Sequence, residues 1–235
     1  MSGISEQLKQ IRQRLQSACE RVGRVPSSAR LVAVSKTFPA EDIQEAISAG
    51  QLCFGESKLQ EAEQKIAELP TGLDWHFIGR VQRNKVRKIL PLFQCIHAVD
   101  SLKLAVYMSG IAGELGLRPQ VFLQVDQAGE ETKGGFTPTE LHEAMPALAR
   151  LSDIRIVGLM SIPPAVENPE DSRRWFRELR ELRDDLCKKF QIELPWLSMG
   201  MSGDFEIAVE EGATHVRVGS SIFGKRAYKV EGELG

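Results

Sequence analysis

The sequence predicts a closed (β/α)8 TIM barrel with an extra N-terminal helix. Three observations predict it. Strand-like and helix-like patterns alternate eight times within 235 residues, close to the ~250 residues such a barrel takes. The strand candidates are short apolar runs, as strands buried on both faces are. No linker interrupts the alternation. An open doubly wound sheet is the alternative that the same pattern allows.

Each element follows in order. Ile4, Leu8, Ile11, Leu15 and Val22 fall on one helical stripe, and Gly23 to Ser28 break it. Leu31–Lys36 reads as the first strand and Glu41–Ala49 as a helix that stops at Gly50. Leu52–Gly55 and Trp75–Gly79 are the next strands, followed by helices at Leu59–Leu69 and, short and basic, Asn84–Leu90. Gln94–Val99, Gln120–Val125 and Ile154–Met160 are strands, with helices at Leu102–Leu115, Thr139–Leu151 and Glu170–Phe190. The last of these carries Trp175, Leu179, Leu182, Leu186 and Phe190 on one stripe. Trp196–Met199 is the seventh strand, Phe205–Gly212 a short helix and His215–Val218 the eighth strand. The expected organisation is one barrel domain over residues 1–235, with residues 1–28 packed outside it as a helix and linker.

Composition narrows the class. A net charge of −2 argues against a dedicated nucleic-acid binder. There is no apolar run of membrane-spanning length, and the polar start does not resemble a secretory signal. Cys19, Cys53, Cys95 and Cys187 are far apart in sequence, so no zinc site or disulfide framework is expected. The expectation is a cytoplasmic protein with no metal, acting as a monomer.

Barrel active sites lie at the carboxyl ends of the strands. Lys36, ending the first strand, is either a surface charge or an amine held in the mouth, where desolvation would make it a nucleophile toward carbonyls. The loops after strands seven and eight, Ser198-Met-Gly-Met-Ser-Gly203 and Gly219-Ser-Ser-Ile-Phe-Gly224, are rich in glycine and serine. They are either tight turns or the phosphate cradle that barrels often build there, with Ser202, Gly219 and Ser220 as contacts. Arg217 alternates with Val216 and Val218, so it faces inward, toward a carboxylate partner or a ligand acceptor. His76 is either a core histidine or a ligand contact. Arg80, Arg83, Lys85, Arg87 and Lys88 read as a solvated basic face, with an anion contact as the minority reading. Gly219 to Lys225 approaches a P-loop, but Arg226 stands where magnesium needs Ser or Thr. Glu130 to Lys133 is a polar loop without assignable chemistry.

Lysine, phosphate cradle and inward arginine together suit a phosphorylated carbonyl held as a Schiff base. Pyridoxal 5'-phosphate fits, and so does the sugar phosphate of a class I aldolase. Larger motifs separate the two. Ala33-Val-Ser-Lys-Thr, Phe54-Gly-Glu56, Trp75-His-Phe-Ile-Gly79, Gln82-Arg-Asn-Lys85, His97-Ala-Val-Asp-Ser101, Gly158-Leu-Met160, Leu197-Ser-Met-Gly-Met-Ser202, Val216-Arg-Val-Gly219 and Phe223-Gly-Lys-Arg226 span nearly the whole chain. With them the chain resembles the pyridoxal-phosphate homeostasis protein family, whose barrel is alanine-racemase-like. The resemblance implies that Lys36 carries the cofactor covalently, that Ser202, Gly219 and Ser220 hold its phosphate and that Arg217 faces the pyridine nitrogen. Ser57 stands where the family usually has Asn, so a contact from position 57 has one donor where the amide has two. The implied role is vitamin B6 and amino-acid homeostasis without efficient racemase turnover, a binding protein rather than an enzyme, with apo enzymes that use the cofactor as recipients. The alternatives are a racemase or decarboxylase using the same site, or a Schiff-base aldolase. Against a racemase stands the scarcity of a second base: the tyrosines are Tyr107, in a predicted outer helix, and Tyr228, in the C-terminal tail.

Overall fold

A computed structural model describes residues 3–129 and 134–224. The loop at Glu130 to Lys133, and Lys225, Arg226 and Tyr228, lie outside the described residues. Eight parallel strands close into a barrel: β1 Arg30–Val34, β2 Cys53–Glu56, β3 Asp74–Phe77, β4 Cys95–Val99, β5 Gln120–Val125, β6 Arg155–Ser161, β7 Trp196–Ser198 and β8 His215–Val218. Closure is made by β8 against β1, in the register Arg30↔His215 through Ala33↔Val218. The helices are α1 Ile4–Arg21, α2 Ala40–Ser48, α3 Leu59–Glu68, α4 Val86–Ile89, α5 Leu102–Leu115, α6 Pro138–Leu148, α7 Arg173–Phe190, α8 Phe205–Glu210 and α9 Ser220–Phe223.

Several ends differ from expectation for local reasons. β1 stops at Val34, and Lys36 sits in the turn beyond it, because Thr37 adopts a left-handed backbone with φ 71° that ends the extended run. α6 begins at Pro138, one residue earlier than expected. Thr137 caps it by accepting from the Glu140 amide, while the Glu140 side chain accepts from the Thr137 amide. α7 starts at Arg173 after a tight turn from Pro169 to Ser172. Its buried face is headed by Phe176, followed by Leu179 and Leu186; Trp175 lies off that face.

Sequence period two divides each strand between two environments. The outward residues, among them Phe54, Phe77, Ile96, Val121, Leu159 and Val216, join the helices in one large apolar cluster. That burial is the main cohesive force of the fold. Gly158 lets β6 and β7 approach, since a Cβ there would lie 1.8 Å from the Trp196 carbonyl oxygen. The inward residues meet across the barrel instead. The rings of His76, His97, Phe122, Trp196 and His215 pack there with centroid separations of 4.6 to 6.2 Å. α1 lies outside the barrel against α2, α8 and α9. Beyond its buried Leu8, Ile11 and Leu15, it is tied to α8 by Arg14–Glu206 and Arg21–Glu210 pairs of 2.7 and 2.8 Å. No described helix is long and apolar enough to cross a membrane.

Candidate functional site

Two clefts mark the ends of the barrel. One, of about 530 Å³, is lined by strand-start residues including Arg30, Asp74, Gln120 and Trp196, and lies at the amino end. The other, of about 310 Å³, lies at the carboxyl end and is lined by Lys36, Met201, Ser202, Arg217, Gly219 and Ser220, with apolar walls from Val34, Phe38, Ile78 and Ile162. The second is the candidate site, because carboxyl-end loops can vary without disturbing the barrel. Five of the seven residues expected at the site meet in this cavity.

Lys36 is half-buried and held by an unusual turn. A β-branched residue at positive φ costs on the order of 1–3 kcal/mol, and Thr37 bears that cost directly after the lysine. Surrounding contacts hold the turn in place. The Thr37 amide donates to Glu61 Oε1. Lys65 Nζ donates to the Ser35 carbonyl at 2.8 Å, to Glu56 Oε1 at 2.7 Å and to Glu61 Oε1 at 2.5 Å, while Ser35 Oγ donates to Glu56 Oε1 at 2.7 Å. Burial pushes the Glu56 carboxyl up from its ordinary value, opposed by the charge and hydrogen bond of Lys65. A second, buried lysine therefore braces the turn that presents the first.

The glycine–serine loops meet as the sequence expects. The Gly219 amide donates to Ser202 Oγ at 3.3 Å, joining the loop after β7 to the start of α9. The first-turn amides of Ser220 and Ser221 have no partner inside the helix. A Cβ on Gly219 would come within 3.1 Å of the Val34 carbonyl oxygen, so any side chain there crowds the cradle. Phe38 stacks on Phe223 at 5.1 Å and walls the opening.

Arg217 is buried and makes no ion pair among the described residues. Nη1 donates to Ser198 Oγ at 2.6 Å and Nη2 to the Ser161 carbonyl at 2.9 Å. Burial lowers its pKa to about 10, eased by the charge of Asp204, so it stays a cation at neutral pH. Of the two readings open from sequence, a carboxylate partner and a ligand acceptor, the carboxylate is not met. Ser161 Oγ, buried beside it, has no hydrogen-bond partner among the described residues. A lysine amine, a donor-rich loop pair and a cation with donors to spare fit the groups that pyridoxal phosphate carries: an aldehyde, a phosphate and a ring nitrogen that accepts.

The remaining two expected residues do not line the cavity. Ser57 is half-buried and is not among the residues that line the cavity; its backbone packs closely against Gly79, where a Cβ would lie 2.2 Å from the Ser57 carbonyl oxygen. His76 lies in the interior, with Nδ1 2.9 Å from His97 Nε2 and Nε2 3.2 Å from Asp74 Oδ2. His76, Cys95 and His97 bring ligand atoms within 4.8 Å of one another, but both rings already spend both nitrogens on hydrogen bonds. Glu56, Lys65, His97, Ser198 and Asp74 carried no expectation. For the last three the signal is strand parity: Asp74 and His76, Cys95 and His97, Ser198 and Trp196 alternate as His215 and Arg217 do. For Lys65 no sequence signal separates it from a surface helix lysine.

Comparison with known proteins agrees with the geometry. The family model for the alanine racemase N-terminal domain matches residues 7–227. The pyridoxal phosphate homeostasis protein of Aquifex aeolicus (strain VF5) is 45% identical over 224 residues, 95% of this chain and 98% of the relative. PipY of Synechococcus elongatus PCC7942, solved with PLP bound, superposes with a TM-score of 0.84 at 41% identity, covering 94% of this chain and all of that one. An alanine racemase of Clostridium difficile 630 shares the fold at 15% identity and a TM-score of 0.76, covering 98% of this chain and 58% of its own. With relatives this similar along nearly its whole length, the chain belongs to the pyridoxal phosphate homeostasis protein family, built on a barrel of the alanine racemase N-terminal type.

Proposed function

We propose that this protein binds pyridoxal 5'-phosphate in the carboxyl-end cavity and serves vitamin B6 and amino-acid homeostasis, without efficient racemase turnover. One observation carries the reading: Lys36, Arg217 and the Ser202–Gly219–Ser220 cradle line a single cavity. Relatives named for this role, and one solved with PLP bound, support it. When bound, the cofactor supplies an aldehyde that condenses with amines and a ring that withdraws electrons. Lys36 makes the covalent link. Ser202, the Gly219 and Ser220 amides and the Ser220 hydroxyl hold the phosphate. Arg217, which can only donate, keeps the ring nitrogen unprotonated and so a weaker electron sink. Ser57 and His76 stay out of this set, since neither lines the cavity.

The chemistry of the wall argues against a racemase. Inversion by two bases needs a proton acceptor on each face of the substrate. Among the described residues that line the cavity, Lys36 is the one general base. Tyr107 is engaged elsewhere, under the Arg83 guanidinium at 4.5 Å. We further propose a cytoplasmic monomer that gives up its cofactor to apo enzymes. Purified protein should absorb in the visible, and Lys36→Ala should lose that band while remaining folded; an unchanged band sinks the assignment. A colourless wild type would favour the aldolase reading. Exchange of the α-proton of L-amino acids in heavy water, with chiral analysis, separates binding from racemisation. Inversion at ~1–10³ per second would make the protein a racemase.

A further inference from the structure

The buried polar groups of the barrel interior form one line. Arg217 Nη1 donates to Ser198 Oγ at 2.6 Å; that oxygen lies 2.7 Å from His97 Nδ1; His97 Nε2 lies 2.9 Å from His76 Nδ1; His76 Nε2 lies 3.2 Å from Asp74 Oδ2. Distances do not say where the protons are, but counting donors and acceptors does. A guanidinium only donates, so Ser198 Oγ accepts from Arg217. Ser198 is fully buried, and His97 is the other contact of its hydroxyl among the described residues. A proton on His97 Nδ1 would strand the Ser198 hydroxyl hydrogen in the core, which buried hydroxyls rarely tolerate. Ser198 therefore donates to His97 Nδ1. His97 keeps its proton on Nε2 and donates to His76 Nδ1; His76 keeps its own on Nε2 and donates to Asp74. Every donor points from the mouth toward the amino end.

We propose that Ser198, His97, His76 and Asp74 form a hydrogen-bond chain of fixed polarity that positions Arg217, linking a cation at the mouth to a carboxylate at the opposite end of the barrel. Direct pairing with a carboxylate would occupy the guanidinium fork. The chain instead engages one N–H and leaves others for a ligand acceptor. Asp74 suits the far end: it is partly exposed in the amino-end cleft and paired with Arg30 Nη2 at 2.6 Å. The charged and titratable groups around the line are Arg30 on β1, Cys53 on β2, Cys95 on β4, His215 on β8 and Asp204 before α8. Burial pushes the Cys53 thiol up to about 12 and Cys95 well up, so both remain neutral. Burial, with the neighbouring charge of Arg217, holds His97 well below the usual imidazole value, in keeping with a neutral ring.

The chain's polarity concerns the protein without ligand; its effect on the mouth rests on the pyridoxal phosphate reading. Long-range proton–nitrogen correlation on histidine-labelled, cofactor-free protein reads the tautomers. The four histidines, His76, His97, His142 and His215, are assigned by single substitutions to Gln. The expected result is protonated Nε2 and bare Nδ1 in both His76 and His97. A protonated Nδ1 on either ring at neutral pH overturns the chain. Asp74→Asn, remote from the mouth, should shift the His97 and Arg217 side-chain resonances. In loaded protein it should move the visible band in the same sense as Ser198→Ala, but less. Unmoved Arg217 resonances in Asp74→Asn overturn the positioning role, and they do so even if Ser198→Ala fails to fold. A wild type with the expected tautomers and no visible band would uphold the chain and remove the reading of the mouth instead.

Discussion

On the outside of the sheet, Phe54, Phe77, Val121, Leu159 and Val216 meet helix residues such as Phe176, Leu179 and Leu186 in an apolar layer. On the inside, the same strands turn His76, His97, Ser198, His215 and Arg217 toward one another, all buried. Apolar groups need only one another. Buried polar groups lose hydration and must find partners, so an interior this polar is a costly way to fill a barrel. The contrast separates what holds the fold from what serves the site: the outer layer stabilises, and the inner layer spends stability to position groups.

Phe176→Ala, which empties a fully buried outer position, should cost ~3–5 kcal/mol in chemical denaturation. At temperatures where it stays folded it should keep the visible cofactor band; loss of the band with the fold intact would show that the layers are not separable. Lys65→Met tests the seam between them. Removing the cation from buried Glu56 should cost about 3 kcal/mol and also release the Lys36 turn. That variant should therefore lose both stability and cofactor, and intact binding would show that Lys65 braces nothing.

Acid is a smaller probe that reaches the inner layer. Burial holds His215 at about 3 against an ordinary 6.5, and His97 is depressed as well. In acid the unfolded chain takes up these protons before the native protein does. The stability they contribute is present above pH 6.5 and is lost as pH falls toward 3. The slope is about 1.4 kcal/mol per pH unit for each ring kept neutral. Glu56, displaced upward, has the opposite sign: its contribution is present below its ordinary value of 4.5 and lost as pH rises. Denaturation across this range should show a net loss toward acid, and His215→Gln should flatten it; an unchanged slope contradicts a neutral buried His215.

Most of the outer layer was legible in the sequence, because apolar periodicity is what makes it. The sequence places the strands in order, and the differences are local. It puts Trp175 where the structure buries Phe176, since both fit a 3.6-residue stripe. It carries Lys36 into the strand, since nothing in the letters announces that Thr37 takes positive φ. The mouth was legible where composition is unusual, in Lys36, Arg217 and the two glycine–serine loops. His76 takes the first of its two open readings, a core histidine, and Ser57 does not line the cavity, because membership of a motif does not say which side chains do. The inner chain was hidden by distance: His97 and Ser198 touch across 101 residues.

The smallest expected effect falls on the cradle. Ser202→Ala removes one neutral acceptor from the Gly219 amide and should weaken cofactor binding by ~0.5–1.5 kcal/mol. Gly219→Val should be worse, since its side chain meets Val34 and the space meant for the anion. Equal retention by the two variants would misplace the phosphate.

On the proposed reading, one lysine in the mouth carries the cofactor. Borohydride reduction of the protein loaded with stoichiometric pyridoxal phosphate, followed by peptide mass mapping, fixes the bond permanently and locates it. The added mass is expected on the peptide containing Lys36, and is expected to be absent from Lys36→Ala. Label on another lysine, Lys65 included, or no label on a protein that binds the cofactor, would contradict it.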